Sequence, residues 1–373
     1  MAFSTSDTRL DPIYSILETE QLDAVAFVPG PNFQRLFAAN FHLMERPLLV
    51  IIPKQGEPVA IVPDLELASF EKLAFPGNVF GWKDEEGYQD AFQAAAASLP
   101  QLSKAPQIGL EAQRMRVFEQ MALQMAIPNA RFVDAHAAIS SIRLVKSQDE
   151  IEHLKRAIAI SEAALEATLQ QIEIGQTEKQ IEAILLNELF AHGADGLAFD
   201  PIVAAGDNSA EPHATARPDY KIKSGDALLF DFGASWQGYN ADITRTFFVG
   251  EVSEHDRAFY ETVLAANERG REVSKAGLSA HTVDDAVQIV LENSQFAAFR
   301  VHKTGHGLGL DVHEAPQIMR GNHQELEAGM VYTVEPGLYR PGECGVRIED
   351  DVVVTEDGIQ CLTTFSRELR IVG

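Results

Sequence analysis

Up to about residue 140, short apolar runs alternate with amphipathic stretches along the chain. The runs AVAFV (24–28), PLLVII (47–52), PVAIV (58–62) and QIGL (107–110) have the length and β-branched content of buried strands. Between them, YQDAFQAAAASL reads as a helix, and its alanines at 94–97 predict close packing. Alternation of this kind predicts a small α/β domain. The text changes at DAHAAISSIRLVKSQDE (134–149), after which Ile151, Leu154, Ile158, Leu165, Leu169 and Ile172 recur at helical spacing as far as Gly175. Thr177 and Gln180 then form a capping box ahead of Ile181, Ile184, Leu185 and Leu189, and Gly193 is placed to end that helix. The pattern divides the chain into two domains, 1–140 and 141–373.

Within the second domain the order of elements returns. Ser253 and Asp256 mark a helix start, Phe259, Val263 and Ala266 give its apolar face, a second helix spans roughly 282–293, and strand-like text resumes. GDALLFDFG (225–233) matches GMVYTVEPG (329–337): each has a glycine, an acid six positions later and a second glycine two beyond that. The acids are Asp231 and Glu335, and each is followed downstream by another strand-like acid, Asp242 in ADITRTF and Glu349 in VRIEDDVVV. Asp231 interrupts a buried-looking strand, and ASWQGYN reads as the turn that leads to Asp242. Antiparallel pairing of the two runs puts both carboxylates on one face. A duplicated, quasi-twofold domain brings all four acids toward one axis.

Composition adds limits. A chain of 373 residues with 46% hydrophobic and 23% charged residues suits two globular domains. The formal charge of -25 argues against nucleic acid or an anionic membrane surface as partner. The two cysteines, Cys344 and Cys361, read as structural thiols in a reducing compartment. With no basic segment leading an apolar core at the start of the chain, and no apolar run near the length of a membrane span, the expectation is a soluble cytoplasmic protein.

Four carboxylates at one centre need cations or protons, because like charges about 4 Å apart repel by about 4 kcal/mol at an effective dielectric of 20. Two divalent ions cancel four negative charges, and an oxygen-rich set with one imidazole suits manganese, iron, cobalt or zinc. The imidazole is sought in VHKTGHGLGLDVHEAP (301–316), where His302, His306 and His313 stand among glycines that permit close backbone approach. The helical H-E-x-x-H motif is absent, and G-H-G-L-G is not a nucleotide fingerprint. The chemistry predicted is that of a two-metal hydrolytic centre.

In this order, PIVAAGDNSAEPHATARP, LLFDFG, ADITRTF, HKTGHGLGLDVHEAP, GMVYTVEPGLY and GVRIEDDVVVTEDG resemble the pita-bread metallopeptidases, most closely the Xaa-Pro dipeptidase (prolidase) and aminopeptidase P branch. The motifs span about 201–358, and RLVKSQDEIEHLKRA extends the resemblance to about 143. ERPLLVIIPKQGEPVAIVPDLE resembles that branch's amino-terminal domain more loosely, and FAANFHLMERP (37–47) departs from the YLTGF-like text of relatives. The resemblance implies an α/β (α+β) chain: a small creatinase-N-like α/β domain, then an internally duplicated pita-bread (creatinase/aminopeptidase-like) catalytic domain.

The same resemblance implies five metal ligands, Asp231, Asp242, His306, Glu335 and Glu349, holding two divalent ions per subunit, with manganese foremost and cobalt, zinc or iron as alternatives. Asp242 and Glu349 would each hold one ion, Asp231 and Glu335 would lie near both, and Glu335 would also move protons. His213, His302 and His313 would contact substrate or the tetrahedral oxyanion. Arg347, two residues before Glu349, would point into the site, either toward the substrate or as an ion pair steadying Glu349. The implied activity is hydrolysis of the Xaa-Pro bond in proline-containing di- or short peptides by a homodimer. The alternatives are aminopeptidase P activity on longer peptides, or a lyase or other hydrolase on the same fold.

Overall fold

The apolar runs of the first part of the chain form a six-stranded sheet, ordered Asn78–Trp82, Val59–Pro63, Leu49–Pro53, Ala24–Phe27, Gln107–Leu110 and Arg131–Asp134. Ala24–Phe27, Leu49–Pro53 and Val59–Pro63 are buried along their whole length, as continuous apolar strands covered on both faces must be. Leu17, Phe33 and Val50 belong to the core on one face, Phe92, Ile108 and Leu123 to the core on the other. The outer strands Asn78–Trp82 and Arg131–Asp134 are largely exposed, and their apolar stretches, broken by Gly81 in one and limited to Phe132 and Val133 in the other, are too short to stand out in the sequence pattern. In the helix Gln89–Ala97 only Ala95 of the alanine cluster is buried, so close packing is met at one position of four.

This computed structural model describes residues 8–99 and 102–373, in two compact units, Met1–Arg143 and Leu144–Gly373. The division lies a few residues past the expected 140, because the short helix Ser141–Arg143 stays with the first unit: Arg143 Nε donates to Asn32 Oδ1 at 2.6 Å.

In the second unit the expected duplication takes physical form as two helix pairs and two sheets. The first pair is Gln148–Leu169 and Glu178–Ala191, each opened by a reciprocal capping box, Ser147 with Glu150 and Thr177 with Gln180. Gly193, at φ +100°, follows the end of the second helix. These helices cover the sheet Ile371–Val372, Ile243–Val249, Ala227–Phe232 and Ile202–Ala205 through a core that includes Leu165, Leu185, Phe230 and Phe247. The second pair, Glu254–Val273 and Ala280–Glu292, is capped by Ser253 and Ser279. It accompanies the sheet Glu314–Ile318, Gly305–Gly307, Val331–Val334, Asp350–Val354 and Ile359–Cys361. At Gly270 a Cβ would lie 2.7 Å from Val334 and 2.8 Å from Val287, so the bare backbone sets how closely helix and strand approach.

One local expectation is corrected. The segment ASWQGYN is not a plain turn but a hairpin of its own, Ala234–Trp236 paired with Tyr239–Asn240, with Gln237 and Gly238 at positive φ (50° and 82°) as its two-residue loop. Trp236 and Tyr239 pack on His153 of the first long helix. Both cysteines are free, Cys344 buried and Cys361 half-buried. Among the described residues no helix is long and apolar enough to cross a membrane.

Candidate metal centre

Asp231 lies opposite Thr244 in the antiparallel pair Ala227–Phe232 and Ile243–Val249. Asp242 precedes Thr244 by two residues and therefore shares its face, as the alternation along the chain requires. Glu335 directly follows the strand Val331–Val334, and its amide donates to Thr304 O at 2.7 Å. Glu349 follows Cys344–Arg347, with its amide donating to Thr244 O at 3.1 Å. His306 sits in Gly305–Gly307 at a register shift that re-aims the strand. Its neighbours must be glycine: a Cβ would lie 1.9 Å from Thr333 O at Gly305 and 2.0 Å from Ala315 O at Gly307.

The side chains converge. Ligand atoms of Asp231, Asp242 and Glu349 lie within 4.8 Å of one another, as do those of His306, Glu335 and Glu349, and those of Asp242, His306 and His313. His306 Nε2 is 3.3 Å from Glu335 Oε1 and 3.6 Å from Asp242 Oδ2. Together they line a cavity of about 640 Å³ that also receives His213, His302, Lys303 and Arg347. His213 and His313 are exposed at its wall, and the His313 ring meets that of His306 edge-on at 4.2 Å between centroids.

The electrostatics of this cluster fit a cation site. Burial and the charges of Glu349 and Asp231 hold the Asp242 carboxyl well above its ordinary range, and burial with Glu335 and Asp231 does the same to Glu349. Burial, opposed by Arg347, pushes Glu335 up to about 7. Burial lowers His306 to about 3, so its ring is neutral. His306 Nδ1 lies 3.2 Å from Gly307 O, which fixes the proton on that nitrogen and leaves the Nε2 lone pair facing the carboxylates. Lone pairs facing one another across 3.3 and 3.6 Å call for a shared positive charge. Asp231 Oδ1 is buried with no hydrogen-bond partner among the described residues, a further lone pair suited to a cation. Carboxylate oxygens with one imidazole make a donor set for hard or borderline divalent metals.

Around the ligands the structure adds contacts that sequence reasoning missed. Arg347 donates to Asp231 Oδ2 at 2.5 Å, to Thr244 Oγ1 at 3.0 Å and to Tyr339 OH at 2.6 Å. Its ion pair is thus with Asp231, not with Glu349, which accepts instead from Thr244 Oγ1 at 2.6 Å. Tyr339 OH accepts from Arg347, so its single proton goes to His302 Nε2 at 2.8 Å, while His302 Nδ1 donates to Lys303 O at 2.8 Å. Burial keeps His302 neutral, down to about 4. With both nitrogens engaged, His302 steadies Tyr339 and Arg347 and offers no free ring nitrogen to the cavity. The signal for Tyr339 was in GMVYTVEPGLY: Gly337 pairs with Arg347, and Tyr339, two residues on, shares its face.

The shifts predict a pH dependence for the metal-free chain. Glu335 binds its proton up to about 7 in the folded state but releases it near 4.5 when unfolded, so stability falls as pH rises through that interval. Asp242 and Glu349 act in the same direction. His302 and His306 act oppositely, costing stability as pH falls below about 6.5, and the Lys303 ammonium, lowered by burial, opposes the carboxyls at the alkaline end, so their effect is read just above 6.5. Melting in chelator should therefore drop between pH 6.5 and pH 8, with added manganese restoring more at pH 8. A metal-free melting temperature that rises over this interval would contradict the assignment.

Residues 152–356 match metallopeptidase family M24, and residues 9–145 match the creatinase/prolidase N-terminal domain. A protein of Staphylococcus epidermidis named as an uncharacterized peptidase is 30% identical over 360 residues, covering 96% of this chain and 100% of that one. Among solved structures, a recombinant prolidase from Thermococcus sibiricus superposes with a TM-score of 0.91 at 31% identity, covering 100% of both chains. An X-Pro aminopeptidase from Thermotoga maritima superposes with a TM-score of 0.82 at 31% identity, covering 97% of this chain and 99% of the other.

Proposed function

Because the chain belongs to metallopeptidase family M24, we propose that it hydrolyses the bond between an amino-terminal residue and proline in dipeptides, as an Xaa-Pro dipeptidase. The observation that carries this reading is the convergence of Asp231, Asp242, His306, Glu335 and Glu349 on one cavity, in a chain similar over its whole length to a prolidase. These five residues would hold two divalent ions, manganese first among them and cobalt, zinc or iron in its place. When bound, such ions supply Lewis acidity and lower the pKa of water to that of a nucleophile.

The chain's own residues do the rest. Glu335, pushed up to about 7, is suited to take a proton from the attacking water and return it to the departing proline nitrogen. Arg347 holds Asp231 and, through Thr244, the Glu349 carboxylate, so one buried guanidinium orients two ligands. His313 and His213, exposed at the cavity wall, are the donors available to a substrate carbonyl or a developing oxyanion. The same reading takes the working protein as a cytoplasmic homodimer.

The similarity to an X-Pro aminopeptidase supports a second reading, cleavage of longer peptides. The test is to strip the protein of metal, add back manganese, cobalt or zinc, and supply Ala-Pro, Gly-Pro, an Xaa-Pro tripeptide and a non-proline dipeptide. Metal-dependent cleavage of Ala-Pro and Gly-Pro, with little of the other two, is expected. Equal cleavage of the tripeptide supports the aminopeptidase, and no metal-dependent cleavage of any proline peptide rules out both.

A further inference from the structure

Beyond the metal ligands, the cavity holds one cation that makes no ion pair among the described residues. Five carboxylates line it, four of them in the metal-ligating group, against two cations, Lys303 and Arg347. Arg347 is spent: all three of its nitrogens are engaged by Asp231, Thr244 and Tyr339. Lys303 is not. Among the described residues it enters no ion pair, and its ammonium donates only to the neutral Gln317 Oε1.

Its ammonium is held in place through Gln317. Gln317 pairs directly with His306 across the two strands Gly305–Gly307 and Glu314–Ile318. Gln317 Nε2 donates to Glu314 O at 2.8 Å, which turns its oxygen toward Lys303. The lysine is therefore held beside His306, and its positive charge reaches Glu335, His306 and His313, lowering the proton affinity of each. A half-buried ammonium in a carboxylate-lined cavity, with one neutral partner, retains the capacity to bind an anion.

We propose that Lys303 receives the free α-carboxylate of the substrate and so selects dipeptides over longer peptides. The inference rests on the Xaa-Pro dipeptidase reading. A dipeptide ending in proline carries its negative charge one residue past the scissile bond, where Lys303 is the cavity cation not already engaged by an acidic partner. A longer peptide brings a neutral carbonyl to that place and leaves the lysine without its counter-charge. The lysine thus makes binding depend on how far the peptide extends beyond proline.

The experiment compares Ala-Pro with Ala-Pro amide on the manganese-loaded full chain, for wild type, K303M and K303R, and measures binding of proline against prolinamide by ligand-observed NMR. Wild type is expected to prefer the free acids. K303M should lose that preference by about 10- to 100-fold, mainly through KM, and K303R should keep most of it. An equal fall for acid and amide, carried by kcat, would overturn the proposal and assign Lys303 to the reaction centre instead. If wild type cleaves neither peptide, the peptidase reading has failed, and the preference for proline over prolinamide and its loss in K303M still decide the role of the lysine. A K303M that melts well below wild type is set aside in favour of K303Q under the same comparison.

Discussion

Glu335→Gln is expected to lower kcat for Ala-Pro by about 10²- to 10⁴-fold, the range over which a positioned acid or base contributes. The substitution keeps size and most hydrogen bonds but removes the one carboxyl of the cluster that is brought to about 7, suited to exchanging protons near neutrality. KM should change far less, because glutamine still fills the space beside His306 and Thr333. Rates measured under saturating metal separate this from simple loss of the ion. A variant with wild-type kcat at saturating metal would remove Glu335 from the proton-transfer role.

Asp242→Asn acts in opposite directions on activity and stability. Asp242 is almost wholly buried, 4% exposed, and its charge is opposed first by burial and then by Glu349 and Asp231. Asparagine removes a charge that the metal-free fold tolerates poorly, so the metal-free protein should become more stable at pH 8, by about 1 to 4 kcal/mol if one repulsive contact of this kind is relieved. Activity should fall by more than about 10²-fold, since a neutral amide is a poor ligand for a hard divalent ion. Chemical denaturation in chelator and turnover of Ala-Pro measure the two effects side by side. A metal-free D242N less stable than wild type would mean that the carboxylate is satisfied by the fold itself.

The trade-off explains how the site was legible in sequence. An acid inside LLFDFG, another in VRIED, and helices that repeat in order are visible because burying unpaired charge is costly and is tolerated where a function needs it. The two helix pairs were readable from apolar spacing and from the caps at Thr177 and Ser253, which satisfy local backbone donors with local side chains. The exposed outer strands of the first unit were not, since their apolar stretches are short or broken by glycine. Nor was the hairpin in ASWQGYN, which depends on Gln237 accepting positive φ.

Side-chain direction was the other blind spot. Spacing put Arg347 beside Glu349, but strand pairing turned it to Asp231 and Tyr339. The same pairing brought Tyr339 to Nε2 of His302, one of three histidines expected to face substrate, while the adjacent Lys303 carbonyl takes its Nδ1. A hydrogen-bond network formed across residues separated by a hundred positions is set by register, and register is a property of the folded sheet.

Bound metal per chain decides whether the five residues form a metal centre. Wild type and D242N, each stripped, equilibrated with excess manganese and dialysed, are assayed for bound metal per chain by plasma mass spectrometry. About two ions are expected in wild type and a clear loss in D242N, in line with a centre whose charge is shared by four carboxylates. Full metal content in a folded D242N, or no retained metal in wild type, would contradict it.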